Sequence, residues 1–260
     1  MDELIQVQNL RKTFRLSRKQ QKLNKTKEKT KVAVGGISFS AAKGEIYGLL
    51  GPNGAGKTTT LRMLATMIKP DGGDAFIDGV SVVSQPEEVR RRIGFLTSEL
   101  KLEEFFTPSY LYDFFSELHN IPTDIRDARK ASLFSRFGVN DFAQVKVADL
   151  STGMKQKASL IISVVHDPEI IIFDEPTNGL DVLTAKTVTD FLLELRGQGK
   201  TILLSTHIFS LVEKVCDRAG IIINGKMALS DSVASLTAEK NLEDRFFDIY
   251  EQMAQGGEPA

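Results

Sequence analysis

The 260-residue sequence holds one cysteine, Cys216, and three histidines. A lone thiol excludes an internal disulfide and suits a reducing compartment, and Cys216 itself reads as a small helix residue. No run approaches the roughly 18 consecutive apolar residues of a membrane-crossing helix. The opening MDELIQVQNL is acidic and has no long apolar core, so no secretory leader is expected. The expected location is cytoplasmic, with any membrane role supplied by a partner. Internal repeats are missing too, which predicts a single site. Net charge is only −1, but it is unevenly spread: residues 11–31 carry ten Lys or Arg and one acid, Glu28. Removing these from totals of 33 and 34 leaves 23 basic against 33 acidic residues elsewhere, so the basic segment is local. The 42% hydrophobic and 26% charged residues are ordinary for a globular chain that can bury a core in one large domain or two small ones.

What is present centres on Gly51-Pro52-Asn53-Gly54-Ala55-Gly56-Lys57-Thr58, followed by Thr59. It matches G-x-x-x-x-G-K-[ST] and sits between an apolar strand at residues 46–50 and an apolar helix marked by Leu61, Met63, Leu64, Met67 and Ile68. Gly51, Gly54 and Gly56 let the backbone turn and bring its N–H groups close to phosphate oxygens. The helix beginning near Lys57 adds unpaired N–H groups and about half a positive charge at its N-terminus. Lys57 can reach β- and γ-phosphates, and the Thr58 hydroxyl can take a Mg²⁺ position. The plainer alternative is a glycine turn that caps a helix; the strand–loop–helix context favours phosphate binding.

Along the chain, residues 4–10 partly alternate and read as a strand. Residues 15–32 are polar and Lys-rich, predicting an exposed, mobile loop. Residues 75–79 predict a strand ending in a turn, so the early short strands suggest a small antiparallel sheet beside the nucleotide core. Pro86 opens a charged helix, and residues 93–96 a buried strand. From about 97 to 149 the texture is helical: Leu111, Phe114, Phe115 and Leu118 share a helical face after Pro108, and Phe134 and Phe137 continue to Gly138. That aromatic stripe reads as core or partner interface rather than a cofactor box. Apolar strands at 169–173, 201–205 and 221–223 then alternate with helices, which implies a mostly parallel α/β sheet with ligands at the strands' carboxyl ends.

A phosphate loop needs a metal ligand and a group to orient water. Asp174 ends a buried apolar strand and is placed for Mg²⁺. Glu175, diverging from it, faces the γ-phosphate as general base. His207 follows another strand to the same edge, where it can bond the γ-phosphate or the attacking water. His119 and His166 read as structural.

Together these residues resemble the ATP-binding cassette (ABC) ATPases, from about Leu4 to Leu236. Leu150-Ser151-Thr152-Gly153-Met154-Lys155-Gln156 is similar to the family signature and lies about 23 residues before Asp174, as in the family. Asn178-Gly179-Leu180-Asp181 resembles the loop after the catalytic Glu, and His207 the switch histidine. The wording around Asp174 and the compact tail look most like bacterial ABC-2-type exporters of the sodium-extrusion and drug-resistance group. The resemblance implies a P-loop NTPase fold: an α/β core with a mostly parallel sheet, a small antiparallel β subdomain, and a helical subdomain at about 98–166 inside a 1–236 ATPase domain. A helical extension and frayed tail at 237–260 follow. It further implies that Ser151, Thr152, Gly153 and Met154 contact the ATP of an opposite copy, that Asp181 lies in a dimer loop, and that Phe14 stacks on adenine. Two copies would sandwich two Mg-ATP and drive a separate transmembrane permease from the inner face of the membrane. Three departures stand out. The family's glutamine falls at Ser98, followed by Glu99, which puts the metal shell in question. Thr152 and Met154 replace Gly and Gln. The 15–32 link is long and basic, open to contact with anionic lipid; without interleaved aromatics, nucleic acid is disfavoured. The competing reading is an ABC ATPase acting on a ribosome or nucleic acid. That usually needs two cassettes or a coiled-coil insertion, and neither is in the sequence.

Overall fold

The computed structural model describes residues 3–23, 26–97 and 102–254. Strands β1 (Glu3–Arg15) and β2 (Thr30–Ala42) form a long hairpin with the short helix α1 (Arg18–Leu23) near its tip. Next come β3 (Ile46–Leu50), α2 (Lys57–Leu64), β4 (Gly72–Ile77), β5 (Val80–Ser81), α3 (Pro86–Arg92) and β6 (Ile93–Leu96). Three helices follow: α4 (Pro108–Leu118), α5 (Thr123–Phe137) and α6 (Thr152–Ser163). The chain continues through β7 (Ile170–Asp174), α7 (Val182–Gly197), β8 (Thr201–Thr206), α8 (Phe209–Val215), β9 (Arg218–Ile223), β10 (Lys226–Ser232), α9 (Val233–Leu236) and α10 (Leu242–Ala254).

Two sheets result. The antiparallel one has the order β2-β1-β4-β5; the larger has the order β10-β9-β3-β8-β7-β6, parallel except for the β9–β10 hairpin. Its inner strands are apolar on both faces because both faces are covered. Alternation along each strand sorts side chains into two cores. Tyr47, Leu49, Ile170, Ile172 and Leu203 point toward α2, α3 and the antiparallel sheet. Leu50, Ile171, Phe173 and Leu204 point toward the helices of the opposite layer. Each fully buried Leu, Ile or Phe contributes about 1.5–3 kcal/mol. Parallel pairing fixes the outcome that matters for chemistry: the chain leaves β3, β6, β7 and β8 at one common edge.

Local sequence explains the helix ends around that edge. Thr107 caps α4 by accepting from the Tyr110 N–H, with Pro108 in the first turn. Gly138 takes the left-handed conformation that ends α5. Asp181 accepts from the Leu183 and Thr184 N–H groups and so starts α7.

In three places the structure departs from the sequence reading. The 15–32 segment is not simply a loop: β1 and β2 stay paired out to Arg15 opposite Thr30, and α1 lies beyond. Backbone ladder bonds hold this extension, whose side chains remain largely exposed. On α4 the buried residues are Pro108, Leu111, Tyr112 and Ser116, while Phe114 and Leu118 face solvent. Phe106, Tyr110 and Phe114 instead form an exposed stacked ladder, with centroids 4.5 and 6.3 Å apart. Helix α10 lies in the expected C-terminal helical extension. Its Leu242, Phe246 and Ile249 join the main core, and Phe246 packs on Phe209. The tail expected to fray, residues 255–260, lies outside the described residues. Cys216 is buried beside Gly48, not within a helix but just past α8, and burial pushes its thiol pKa up.

His166 and His119 stack in parallel at 4.2 Å, His119 capping α4 and His166 preceding β7. His166 Nε2 lies 3.1 Å from the Ile93 carbonyl and so carries the proton; Nδ1 is buried without a partner. Burial, and then the neighbouring His119, lower the His166 pKa to about 4. Between the unfolded value near 6.5 and about 4, the unfolded chain binds a proton that the folded chain refuses. Stability therefore falls as pH drops through that window. His166→Gln is expected to flatten the dependence of the unfolding midpoint on pH between 7 and 4.5; an unchanged slope would show that the stacked pair is not its source.

Candidate active site

The loop after β3 and the N-terminus of α2 wrap a cavity of about 350 Å³. Its walls hold Pro52, Asn53, Gly54, Ala55, Gly56, Lys57, Thr58, Thr59, Glu175 and Phe14, so the structure gathers most of the predicted nucleotide site in one place. Two glycines are required by geometry. A Cβ on Gly51 would meet the Ile222 carbonyl oxygen at 2.2 Å; on Gly56, at φ 110°, it would meet that of Ala33 at 2.5 Å. Lys57 is buried, and its ammonium donates to the carbonyls of Gly51 (2.6 Å) and Pro52 (3.3 Å). It also lies 3.4 Å from Glu175 Oε1.

Asp174, only 2% exposed, is the anchor of the edge. Its Oδ1 accepts from Thr58 Oγ1 at 3.0 Å and from Ser205 Oγ, while Oδ2 accepts from Thr97 Oγ1 at 3.2 Å. Thr97 and Ser205 escaped the sequence reading, although parallel register signals one of them: Ser205 pairs directly with Asp174. The adjacent Ser98 and Glu99 lie outside the described residues. As a Mg²⁺ position, Thr58 and Asp174 offer two hard oxygen donors within hydrogen-bond distance of each other beside a helix N-terminus. That set fits an ion that takes one or two protein ligands and completes its shell with phosphate and water.

Glu175 adopts φ 53°, a left-handed backbone rare for a residue with a side chain. Its N–H donates to the Ser205 carbonyl at 3.0 Å, so the turn is held to β8. The carboxylate then stands between two partners, Lys57 at Oε1 and His207 Nδ1 at Oε2, 2.9 Å away. A carboxylate only accepts, so His207 carries its proton on Nδ1. Nε2 of that neutral tautomer is an acceptor, suited to water; donation to a phosphate oxygen requires the imidazolium.

Phe14, 39% exposed, lies on the cavity wall. Its ring lies under the ammonium of Lys12, 5.8 Å from the centroid. The walls also include Lys31 and Ala33, which sequence reasoning did not single out, and Asn178 from the loop after Glu175. Ser151 caps α6 by accepting from the Met154 N–H at 3.3 Å, and Thr152 is exposed beside it. None of Ser151, Thr152, Gly153 and Met154 lines the cavity. Asp181 is exposed and occupied with capping α7, followed by Val182 and Leu183, 84% and 78% exposed.

The family model for the ABC transporter matches residues 34–178. The ABC transporter ATP-binding protein NatA of Bacillus subtilis (strain 168) is 37% identical over 88% of this chain and 94% of its own length. Nod factor export ATP-binding protein I of Burkholderia orbicola (strain AU 1054) is 39% identical over 75% of this chain, which spans 64% of that protein. The fold is similar to a solved ATP-binding subunit of an ABC transporter, with a TM-score of 0.82 and 25% identity over 95% of this chain and 99% of that one. It is also similar to the ATP-binding cassette MJ0796, solved as a dimer bound to ADP and Pi, at 0.77 and 22% over 88% and 98%. With its phosphate loop, buried Asp174 and Glu175–His207 pair at one sheet edge, the chain belongs to the ABC transporter family, as one of its ATPases.

Proposed function

We propose that the chain is the motor of an exporter, working as two copies that sandwich two Mg-ATP and drive a separate membrane permease. The convergence of Lys57, Thr58 and Glu175 on one cavity, with Asp174 bonded to Thr58 and His207 to Glu175 behind them, carries this reading. The exposed cap at Ser151 and Thr152, away from its own copy's cavity, supports the paired form. In that form Ser151, Thr152, Gly153 and Met154 meet the γ-phosphate of the other copy, and Asp181 lies in the loop between the two. Within each copy, Gly51 to Thr59 hold the phosphates, Phe14 stacks on the base, and Thr58 and Asp174 hold Mg²⁺. The ion, when bound, neutralises charge on the β- and γ-oxygens. Glu175 accepts a proton from the attacking water as its oxygen bonds phosphorus, and the bond to the β-phosphate oxygen breaks. His207 fixes the Glu175 carboxylate and the water. Lys57 turns from the loop carbonyls toward the phosphates, which frees Glu175 for that role.

On this reading residues 1–236 form the ATPase domain, residues about 98–166 its helical subdomain, and residues 237–260 an extension. The permease docks on the helical subdomain, where the Phe106–Tyr110–Phe114 ladder is exposed. The chain then sits on the inner face of the membrane through that partner, since no helix among the described residues is long and apolar enough to cross one. The basic hairpin tip, with its exposed Lys and Arg, suits contact with anionic lipid. Sodium ions and drugs are the candidate cargo classes, by likeness to the exporter group the sequence resembles.

Glu175→Gln is expected to keep ATP affinity near that of the unaltered chain and to lower turnover by about 10²- to 10⁴-fold. Tagged and loaded with Mg-ATP, it should co-purify a multi-span membrane protein from solubilised native membranes. Ribosomes or DNA in its place would overturn the exporter reading, and normal turnover would overturn the role of Glu175. Lys57→Ala is expected to weaken ATP binding about tenfold or more, as measured by calorimetric titration. Undiminished affinity would count against the phosphate loop.

A further inference from the structure

The β1–β2 hairpin contributes more to the cavity than the ring of Phe14. Phe14 and Lys31 are direct cross-strand partners, and Ala33 is the extra residue where the register of β2 shifts between Val32 and Val34. All three line the cavity. Their position is fixed by a chain of backbone bonds: Gly35 N–H donates to the Gly225 carbonyl (2.7 Å) and Gly225 N–H to that of Ala55 (2.9 Å). The strand that carries Lys31 is thereby tied to the phosphate loop itself.

A charge inventory of the walls singles out the same residue. The charged side chains are Lys31, Lys57 and Glu175, and the last two face each other. Lys12, over the ring of Phe14, is neutralised by Asp71 at 2.8 Å. Among the described residues Lys31 is in no ion pair. It is exposed and, as the cross-strand partner of Phe14, lines the cavity beside that ring.

We propose that Lys31 is a second nucleotide-binding cation, which contacts the α-phosphate while Lys57 serves the β- and γ-phosphates. The assignment follows from position: a nucleotide with its base on Phe14 and its terminal phosphates on Lys57 puts ribose and α-phosphate beside Lys31, and of these only the phosphate is charged. It rests on the proposed nucleotide site. It also gives the basic hairpin a role in catalysis apart from any membrane: the extension carries the second strand past Phe14.

Calorimetric titration of the whole chain with ATP, ADP and adenosine tests this. Lys31→Ala is expected to raise Kd for ATP and ADP by the same factor, about five- to tenfold, and to leave adenosine unaffected. Lys31→Arg restores most of the loss. Lys19→Ala, which removes an equal charge from α1, shifts Kd less than about twofold. Unchanged ATP and ADP affinity in Lys31→Ala, with Lys57→Ala still weakening ATP, overturns the assignment alone; unchanged affinity in both variants overturns the nucleotide site. Equal losses in Lys19→Ala would make the effect a diffuse field, and loss of adenosine binding would make it a damaged wall. Either result overturns the contact.

Discussion

Asp174 is a carboxylate with almost no solvent, and burying such a charge costs several kcal/mol unless it is met by donors. It is met by three hydroxyls, each from a different segment: Thr58 at the start of α2, Thr97 just after β6, and Ser205 at the end of β8. Four segments of the sheet's carboxyl edge are therefore tied at one point. Loss of any donor leaves a buried lone pair unmatched, so the residues around Asp174 move as a unit. The phosphate loop inherits its position from this knot as much as from its own glycines.

From that anchor the reactive groups follow by one step of backbone. Glu175 turns sharply into the left-handed region, and the bond of its N–H to β8 holds the turn. The cost of such a conformation is about 1–3 kcal/mol, and it persists only where the surroundings over-determine it. The result is that two adjacent carboxylates face different work: Asp174 is locked among hydroxyls, while Glu175 is shared between a lysine and a histidine. Because Lys57 is held by Glu175 and by two loop carbonyls, nucleotide phosphates compete with the protein's own oxygens for that ammonium. Charge is thus stored in the site in a form that an incoming anion rearranges.

The parallel core was legible because strands covered on both faces are written as unbroken apolar runs, and Ile170 to Phe173 could hardly be read otherwise. The phosphate loop, Asp174, Glu175 and His207 were legible for a related reason, since each ends such a run. The hairpin beyond Arg15 was not. Its ladder is backbone bonding between solvated strands, and polar side chains with no buried face leave no alternation to detect. On α4, spacing alone could not say whether Phe114 or Tyr112 faces inward, because both lie on overlapping helical stripes and burial depends on where α5 and α6 fall. Lys31 and Ala33 reach the cavity from a strand that precedes the phosphate loop, a closeness that only the tertiary fold creates. Thr97, one residue past the end of β6, meets Asp174, one residue past Phe173, because Leu96 and Phe173 are paired in register.

The solitary cysteine has a consequence for how this machine can be watched. Cys216 is packed beside Gly48 under the sheet, and its raised pKa keeps it a neutral thiol. Thiol reagents therefore meet an almost silent background. A cysteine introduced on any exposed position, such as that of Val182 at the start of α7, becomes the sole attachment point for a spin label or fluorophore. Two copies labelled in this way report their separation directly, with no native residue to be removed first.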